Sequence, residues 1–377
     1  MERIDFRVAI LVAASLIGAG TPAFADERGR RLFEEETFGG NGRTCQSCHT
    51  RGSRTISPEQ AQALFAQNPV DPVFQGDARD DFGGSSPLPC LGAAPFACGA
   101  TFDRFLAHAT VVVGIDLHAA VTVDDTSARK VFLNRGIPST VDTPALVLEL
   151  MYDGRAPTVE EQARDALAGH AGVHNVRDSV LNKIAAFEST EFSRPELESF
   201  ALGGPPPALP EGSTDAERRG RKFFVEPTVI GKEGFCGMCH SGPMLDRSAI
   251  ALPLPGGDEV PTSIGAGARF STAFVSERNA LGNPLHLWTL RAADGTVRSI
   301  VSPDIGRAAI TGLWADVNEF KIPSLWNSRN TAPYFHDNSA KTPEELVDHY
   351  LDFVAPTFGL TFTEDERADI LAYLKLL

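Results

Sequence analysis

The sequence predicts a mainly α fold built from two related modules in tandem, and three observations predict it. The first is an internal repeat. Glu27-Arg28-Gly29-Arg30-Arg31-Leu32-Phe33 precedes Cys45-Gln46-Ser47-Cys48-His49, and Arg218-Arg219-Gly220-Arg221-Lys222-Phe223-Phe224 precedes Cys236-Gly237-Met238-Cys239-His240, at one offset of 191 residues. Self-similarity at a fixed offset outranks local propensity, because each copy has to build the same unit. The second is helical spacing: Val180, Leu181, Ile184 and Phe187 share one face of a short helix, and Ile370, Leu371, Tyr373 and Leu374 another after a Thr363 cap. The third is Gly203-Gly204-Pro205-Pro206-Pro207 closing with Pro210, which cannot continue a helix and reads as a stiff linker.

The elements follow in chain order. Arg3 and Arg7, an apolar run from Val8 to Gly20, and Ala23-Phe24-Ala25 before Asp26 have the layout of a cleaved secretory signal over residues 1–25. The apolar run has 13 residues, whereas a span of the roughly 30 Å hydrocarbon core takes about 20; an uncleaved anchor is the weaker alternative. Residues 26–202 form the first module, 203–210 the linker and 211–377 the second module. Ser213 and Thr214 cap a helix running through Arg218 to Phe224. Apart from Thr110–Gly114 and a few Val/Thr runs, little reads as strand.

Composition bounds the function. With 377 residues, 42% hydrophobic and 22% charged, the chain is neither disordered nor a disulfide-dense mini-protein, and each module is long enough to bury a core. A formal charge of −15 argues against nucleic acid, which needs clustered Lys and Arg to displace counterions. The leader carries two Arg and two acidic residues, so the mature chain keeps the whole −15. No later segment is apolar for long enough to span a membrane. The expected location is a bacterial periplasm, and a partner is expected to be a protein with a basic face or a small neutral molecule.

Two C-x-x-C-H pentads in a chain with six cysteines and nine histidines carry the chemistry. The pentad reads as c-type haem attachment: both thiols must reach the vinyl groups of one porphyrin, and the adjacent His must turn its ring onto the iron. Cys45, Cys48 and His49 then hold one haem, and Cys236, Cys239 and His240 a second, so each module becomes a c-type cytochrome domain of short helices and long loops around one covalently bound haem. A zinc ribbon is the competing reading of paired C-x-x-C motifs, disfavoured by the His in both copies and by the exported address. Cys90 and Cys98, eight positions apart in an oxidising compartment, most simply form a local disulfide.

With those motifs in place, Phe320-Lys321-Ile322-Pro323-Ser324-Leu325, Asn330-Thr331-Ala332-Pro333-Tyr334-Phe335-His336-Asp337, the stretch Thr342 to Tyr350, Asp153-Gly154-Arg155-Ala156 and Val159-Glu160-Glu161-Gln162 resemble the bacterial dihaem cytochrome c peroxidase superfamily. Together with the haem motifs they are spread along the mature chain from Glu27 to Tyr350. The branch rests on one position. In that superfamily the second haem takes its far ligand from a Met or, in MauG-like members, a Tyr; here the register leads to Tyr350, so the resemblance points to the MauG-like branch. Anionic oxygen ligation favours the higher oxidation states of haem iron, whereas thioether ligation raises the potential and suits a relay. Core packing of Tyr350, with His349 or another group as ligand, is the alternative.

The resemblance further implies that hydrogen peroxide reacts at the His49 haem, with Glu160 as the acid/base carboxylate that moves the peroxide proton and Arg155 as a propionate anchor or salt-bridge partner. It also implies one calcium ion between the haems, held by Asn134 and the Thr331 and Pro333 segment, since oxygen ligands suit a hard cation. Two features depart from the pattern. Leu150 stands where peroxidases carry a Gln, with Met151-Tyr152 in place of Phe-Trp, and the first tryptophan is Trp288, so no inter-haem Trp lies near Thr140–Leu148. Tyr152 is the substitute conduit the sequence offers. Trp314 and Trp326 read as packing residues, His336 as a structural hydrogen-bonder, and His108, His118, His170, His174 and His286 as isolated. The function these readings imply is an enzyme that takes oxidising equivalents from peroxide, shares them between haems and oxidises a partner protein. A peroxidase fed by a small redox protein, or a non-enzymatic dihaem carrier, is the alternative.

Overall fold

The computed structural model describes residues 22–80, 101–253, 263–272 and 283–377. Most of the expected leader and the Cys90/Cys98 pair lie outside them. The first helix, Pro22–Glu34, starts ahead of the expected Ala25/Asp26 cleavage point. The remaining helices are short, and the expected ones are present: Asp178–Glu188, Asp215–Gly220 behind a Thr214/Glu217 capping box, and Glu364–Leu374 behind a Thr363/Glu366 capping box.

The repeat has a physical cause. In the first half, Gly29 lets the Pro22–Glu34 helix lie directly on the Asp178–Glu188 helix: a Cβ there would sit 2.2 Å from the Lys183 carbonyl oxygen and 2.7 Å from Phe187 Cβ. In the second half, a Cβ on Gly220 would sit 2.1 Å from the Asp369 carbonyl oxygen and 2.8 Å from Tyr373 Cβ. The aromatic partners repeat as well, Phe33 on Phe187 at 5.4 Å and Phe224 on Tyr373 at 5.0 Å between ring centroids. Each half therefore pins its leading helix to its closing helix by a glycine contact and a ring pair.

The described residues hold more strand than the sequence leads one to expect. Thr110–Asp116 pairs antiparallel with Lys130–Gly136, and a three-stranded sheet runs Val121–Val123, His286–Arg291, Val297–Ser302. The hairpin closing the last two strands turns at Asp294-Gly295, with Gly295 at φ +87°; Asp-Gly between alternating strands is a strong hairpin signal. This sheet crosses the molecule, because Val121–Val123 belongs to the first half and its neighbour to the second. Accordingly Trp288, Leu290, Ile305, Ala308 and Val317 are buried in one core with Phe74, Phe105, Val111 and Leu133. The halves are also joined by a buried ion cluster in which Arg135, 1% exposed, donates to Asp153 at 2.6 Å and to Asp304 at 2.9 Å.

Candidate functional site: a cavity between the two C-x-x-C-H motifs

Both pentads fold alike. Residues Cys45–Ser47 and Cys236–Met238 each form one 3-10 turn, and the His N–H closes back on the first Cys carbonyl, at 3.0 Å in His49 and 2.9 Å in His240. In the second pentad Cys236, Cys239 and His240 all face one cavity; in the first only His49 does, while Cys45 packs on the cluster of Phe33 and Leu181 and Cys48 on that of Phe74 and Phe105. Each imidazole then donates Nδ1–H to the carbonyl five residues on: His49 to Arg54 and His240 to Leu245, both at 2.9 Å. That bond fixes the tautomer and leaves Nε2 with a lone pair for a metal. Burial, against the pull of the Arg54 carbonyl, lowers the His49 pKa to about 4, and burial lowers His240 likewise. Both rings stay neutral, the form that ligates iron. The four thiols are held up by burial, Cys48 to about 11 and the other three to about 12.

One continuous cavity of about 330 Å³ is lined by His49, by Cys236, Cys239 and His240, and by Tyr350. Its remaining wall is largely apolar, with Val147, Leu150, Met151, Phe224, Leu325 and Val354 among the contributors. The largely apolar wall, with neutral imidazoles at His49 and His240 and with Cys236 and Cys239 beside the latter, has the donor chemistry that haem iron takes. Among the described residues no three His, Cys, Asp or Glu side chains converge as a metal-ion group, so the two Cys pairs do not meet in one tetrahedral site.

On the same cavity wall, the Pro343–Asp348 helix continues as six π-helical residues, His349–Val354. Single π turns are frequent at functional positions because the extra residue re-aims a side chain. Tyr350 lines the cavity there, and burial, then the nearby Cys239 and Cys236, push its phenol well above its ordinary value. His349 lines the same wall, its ring 5.5 Å from that of Tyr350 and 4.8 Å from Phe335.

At the His49 end, Leu150 occupies the wall, giving it an apolar side chain where the resembled peroxidases have an amide. Glu160 sits half-buried in the first turn of the Val159–Ala171 helix and is not among the lining residues. Two polar side chains that the sequence reading left aside do line this end, Gln162 of the same helix and Glu188 at the end of the Asp178–Glu188 helix. Glu188 is 4% exposed, and burial, with Glu160 and Glu191 adding to it and Arg54 opposing, raises its carboxyl to about 8. Its signal in the sequence was weak: an acid closing an apolar helical face beside Phe187.

Arg155 is an ion-pair partner, Nη1 donating to Asp153 at 2.8 Å. Of the calcium candidates, Thr331 and Pro333 line the cavity, while Asn134 does not, its backbone N–H and C=O both bonded to the Asn283 side chain at 2.7 and 2.9 Å. Tyr152 is on the wall, hydroxyl pKa raised by burial. His336, 4% exposed, stacks on Phe320 at 3.8 Å. Trp326 lines the cavity and donates to the Pro243 carbonyl at 2.8 Å under the Arg194 guanidinium, whereas Trp288 is buried in the first-half core.

No family model matches the chain. The chain is 41% identical over 76 residues to the cytochrome c551 peroxidase of Nitrosomonas europaea, covering 20% of this chain and 22% of that protein. It is 27% identical over 238 residues to the methylamine utilization protein MauG of Methylorubrum extorquens, 60% of each. A solved MauG-like protein associated with microbial copper homeostasis superposes with a TM-score of 0.47 at 20% identity, over 93% of this chain and 87% of that one. The chain thus spans 22% and 60% of the lengths of these curated relatives. Its relatives include cytochrome c peroxidases and MauG, which bears out the resemblance carried by the motifs, and also, at 28% identity over 202 residues, the hydrazine synthase subunit gamma of Kuenenia stuttgartiensis.

Proposed function

We propose that this chain is an exported, periplasmic dihaem oxidoreductase that reacts with hydrogen peroxide on its His49 side and oxidises a partner protein through its His240 side. The observation that carries the reading is the single cavity running from one neutral, carbonyl-anchored histidine to the other. In this reading residues 26–202 and 211–377 are two c-type cytochrome domains, joined by the 203–210 linker after removal of residues 1–25. Cys45, Cys48 and His49 hold one haem and Cys236, Cys239 and His240 the other. When bound, the haems supply iron that exchanges electrons and opens the O–O bond of peroxide.

The chain's own residues do the rest. The Arg54 and Leu245 carbonyls orient the two imidazoles and make each Nε2 a better donor. Leu150, Met151 and Val141 keep water out of the His49 end, where a displaced hydration shell strengthens every remaining polar contact. Glu160 serves the acid/base step from behind the wall, since it does not line the cavity, and Arg155 pairs with Asp153. Tyr350 would hold the second haem's iron through its phenol oxygen, and an anionic oxygen ligand there would favour the higher oxidation states of that iron. One calcium ion, with Asn134, Thr331 and Pro333 as ligands, belongs to the reading as the resemblance implies it and is tested by whether chelation alters the haem spectra. The excess of acidic charge in the chain favours a donor or substrate protein with a basic docking face.

Electron paramagnetic resonance of the ferric protein, followed by peroxide, tests the proposal. A high-spin signal beside a low-spin one, with an optical change after peroxide, is the expected result; two low-spin haems inert to peroxide would leave only an electron carrier. Tyr350→Phe should change the spectrum of the second haem alone. An unchanged spectrum removes the Tyr350 assignment and favours the peroxidase alternative with another ligand at that end.

A further inference from the structure

The reduction of one hydrogen peroxide to two waters breaks one O–O bond and consumes two electrons and two protons. A redox partner protein supplies the electrons, but the protons have to enter a cavity whose wall is mostly apolar. Glu188 is the carboxyl group on that wall near His49, and it is 4% exposed. The nearest buried cation does not neutralise it: Arg54 turns its guanidinium to Glu191 at 2.7 Å and to Glu34 at 3.3 Å. Packing brings a second carboxyl alongside. Val159 lies in one apolar cluster with Ala185, and Ala185 is one helical turn before Glu188, so Glu160, next to Val159, stands beside the end of the Glu188 helix. Glu160 is half-buried.

We propose that Glu188 and Glu160 form a two-carboxyl proton path into the His49 end of the cavity, Glu188 holding the inner proton and Glu160 exchanging it with water. The inference rests on the peroxide reading above. Glu188 gives its carboxyl proton to the reacting oxygen side of the cavity and regains one from Glu160, which takes it from solvent, so each passage moves one proton inward and leaves both groups as they began. The groups bearing on Glu188 are Arg54, Glu160, Glu191 and the Cys45 thiol. Of the elements packed on its helix, Pro22–Glu34 offers Glu34, already bonded to Arg30, Arg51 and Arg54; Val159–Ala171 offers Glu160, with its Arg164 paired to Asp178 at the other end of the helix; and Thr143–Leu146 offers no titratable side chain. A carboxyl so placed keeps its proton to about pH 8, as an inner donor at neutral pH requires.

The test uses the full haem-loaded chain. Glu188→Gln, an isosteric change, should retain the haem spectra and react with peroxide about a hundredfold more slowly, with Glu188→Asp intermediate and Glu160→Gln slowed less. A second readout needs no turnover. The native chain keeps a proton on Glu188 that the unfolded chain releases above its ordinary 4.5, so stability should fall as pH rises from 4.5 through about 8. In Glu188→Gln that part of the slope should vanish. A Gln variant with the parent's peroxide rate, or with the parent's pH slope, overturns the path. If the parent itself is inert to peroxide, the peroxide reading fails and the path falls with it; a reactive parent with an indifferent Gln variant sinks the path alone.

Discussion

The two halves of the molecule use the same C-x-x-C-H turn and differ in what faces it. Around His49 and His240 the local structure repeats down to the hydrogen bond: a 3-10 turn, a His N–H on the first Cys carbonyl, and Nδ1 on the carbonyl five residues later. Behind each turn a glycine contact and an aromatic pair lock the leading helix to the closing one. Across the cavity the likeness ends. The His49 end meets Leu150, Gln162 and the neutral-leaning carboxyl of Glu188, whereas the His240 end meets Tyr350 and His349 on a π-helical segment. The difference teaches that holding a haem and choosing its chemistry are separable tasks. The first is encoded in a pentad and its closest packing, the second in residues brought from elsewhere.

The comparison can be broken most completely at the pentads. Replacing Cys45 and Cys48 together by Ala should leave a chain with one haem and no peroxide reaction, and replacing Cys236 and Cys239 should leave one haem with the reaction's first step intact. Haem content by mass spectrometry separates the two, and equal consequences from both would erase the assigned asymmetry.

A smaller effect should come from the joint between the halves. Arg135→Met leaves Asp304 without its cation, while Asp153 keeps Arg155. Stranding a buried carboxylate costs about 3–5 kcal/mol. Chemical denaturation should show this loss, and two separate transitions in the variant would mean that the shared core no longer couples the halves.

The repeat itself is sharpened by paired substitutions. Gly29→Ala and Gly220→Ala each place a Cβ within 2.2 Å of a helix carbonyl oxygen, and overpacking of this kind costs about 1–3 kcal/mol. Similar losses in both would support equivalent packing. A tolerated change in one half only would mean that its helices can slide apart.

The smallest difference lies in the closing helices. Glu364–Leu374 has the Thr363 capping box, while Asp178–Glu188 starts behind Arg177 with no side-chain cap. Thr363→Ala should cost about 1 kcal/mol and Arg177→Ser should gain up to about that much, both read from the thermal midpoint.

Much of this was legible in the order of residues alone. The pentads, the caps at Thr214 and Thr363 and the Pro-rich linker are local signals, since each depends on neighbours within a few positions, and the repeat at an offset of 191 is read by comparing the chain with itself. A pentad needs only one turn to bring its Cys pair and His together, so its spacing carries its geometry. The Asp294-Gly295 hairpin is equally local, although its flanking strands mix Arg, Ser and Thr with their apolar residues. The tertiary structure decided what no short window holds. It took Trp288 and its neighbours out of the second half into the first-half core, paired Arg135 with an aspartate 169 positions away, and set Glu188 rather than Glu160 on the cavity wall. The physical reason is that burial and charge pairing depend on which surfaces meet, and those surfaces are brought together by packing between distant segments, for which a single sequence carries no spacing rule.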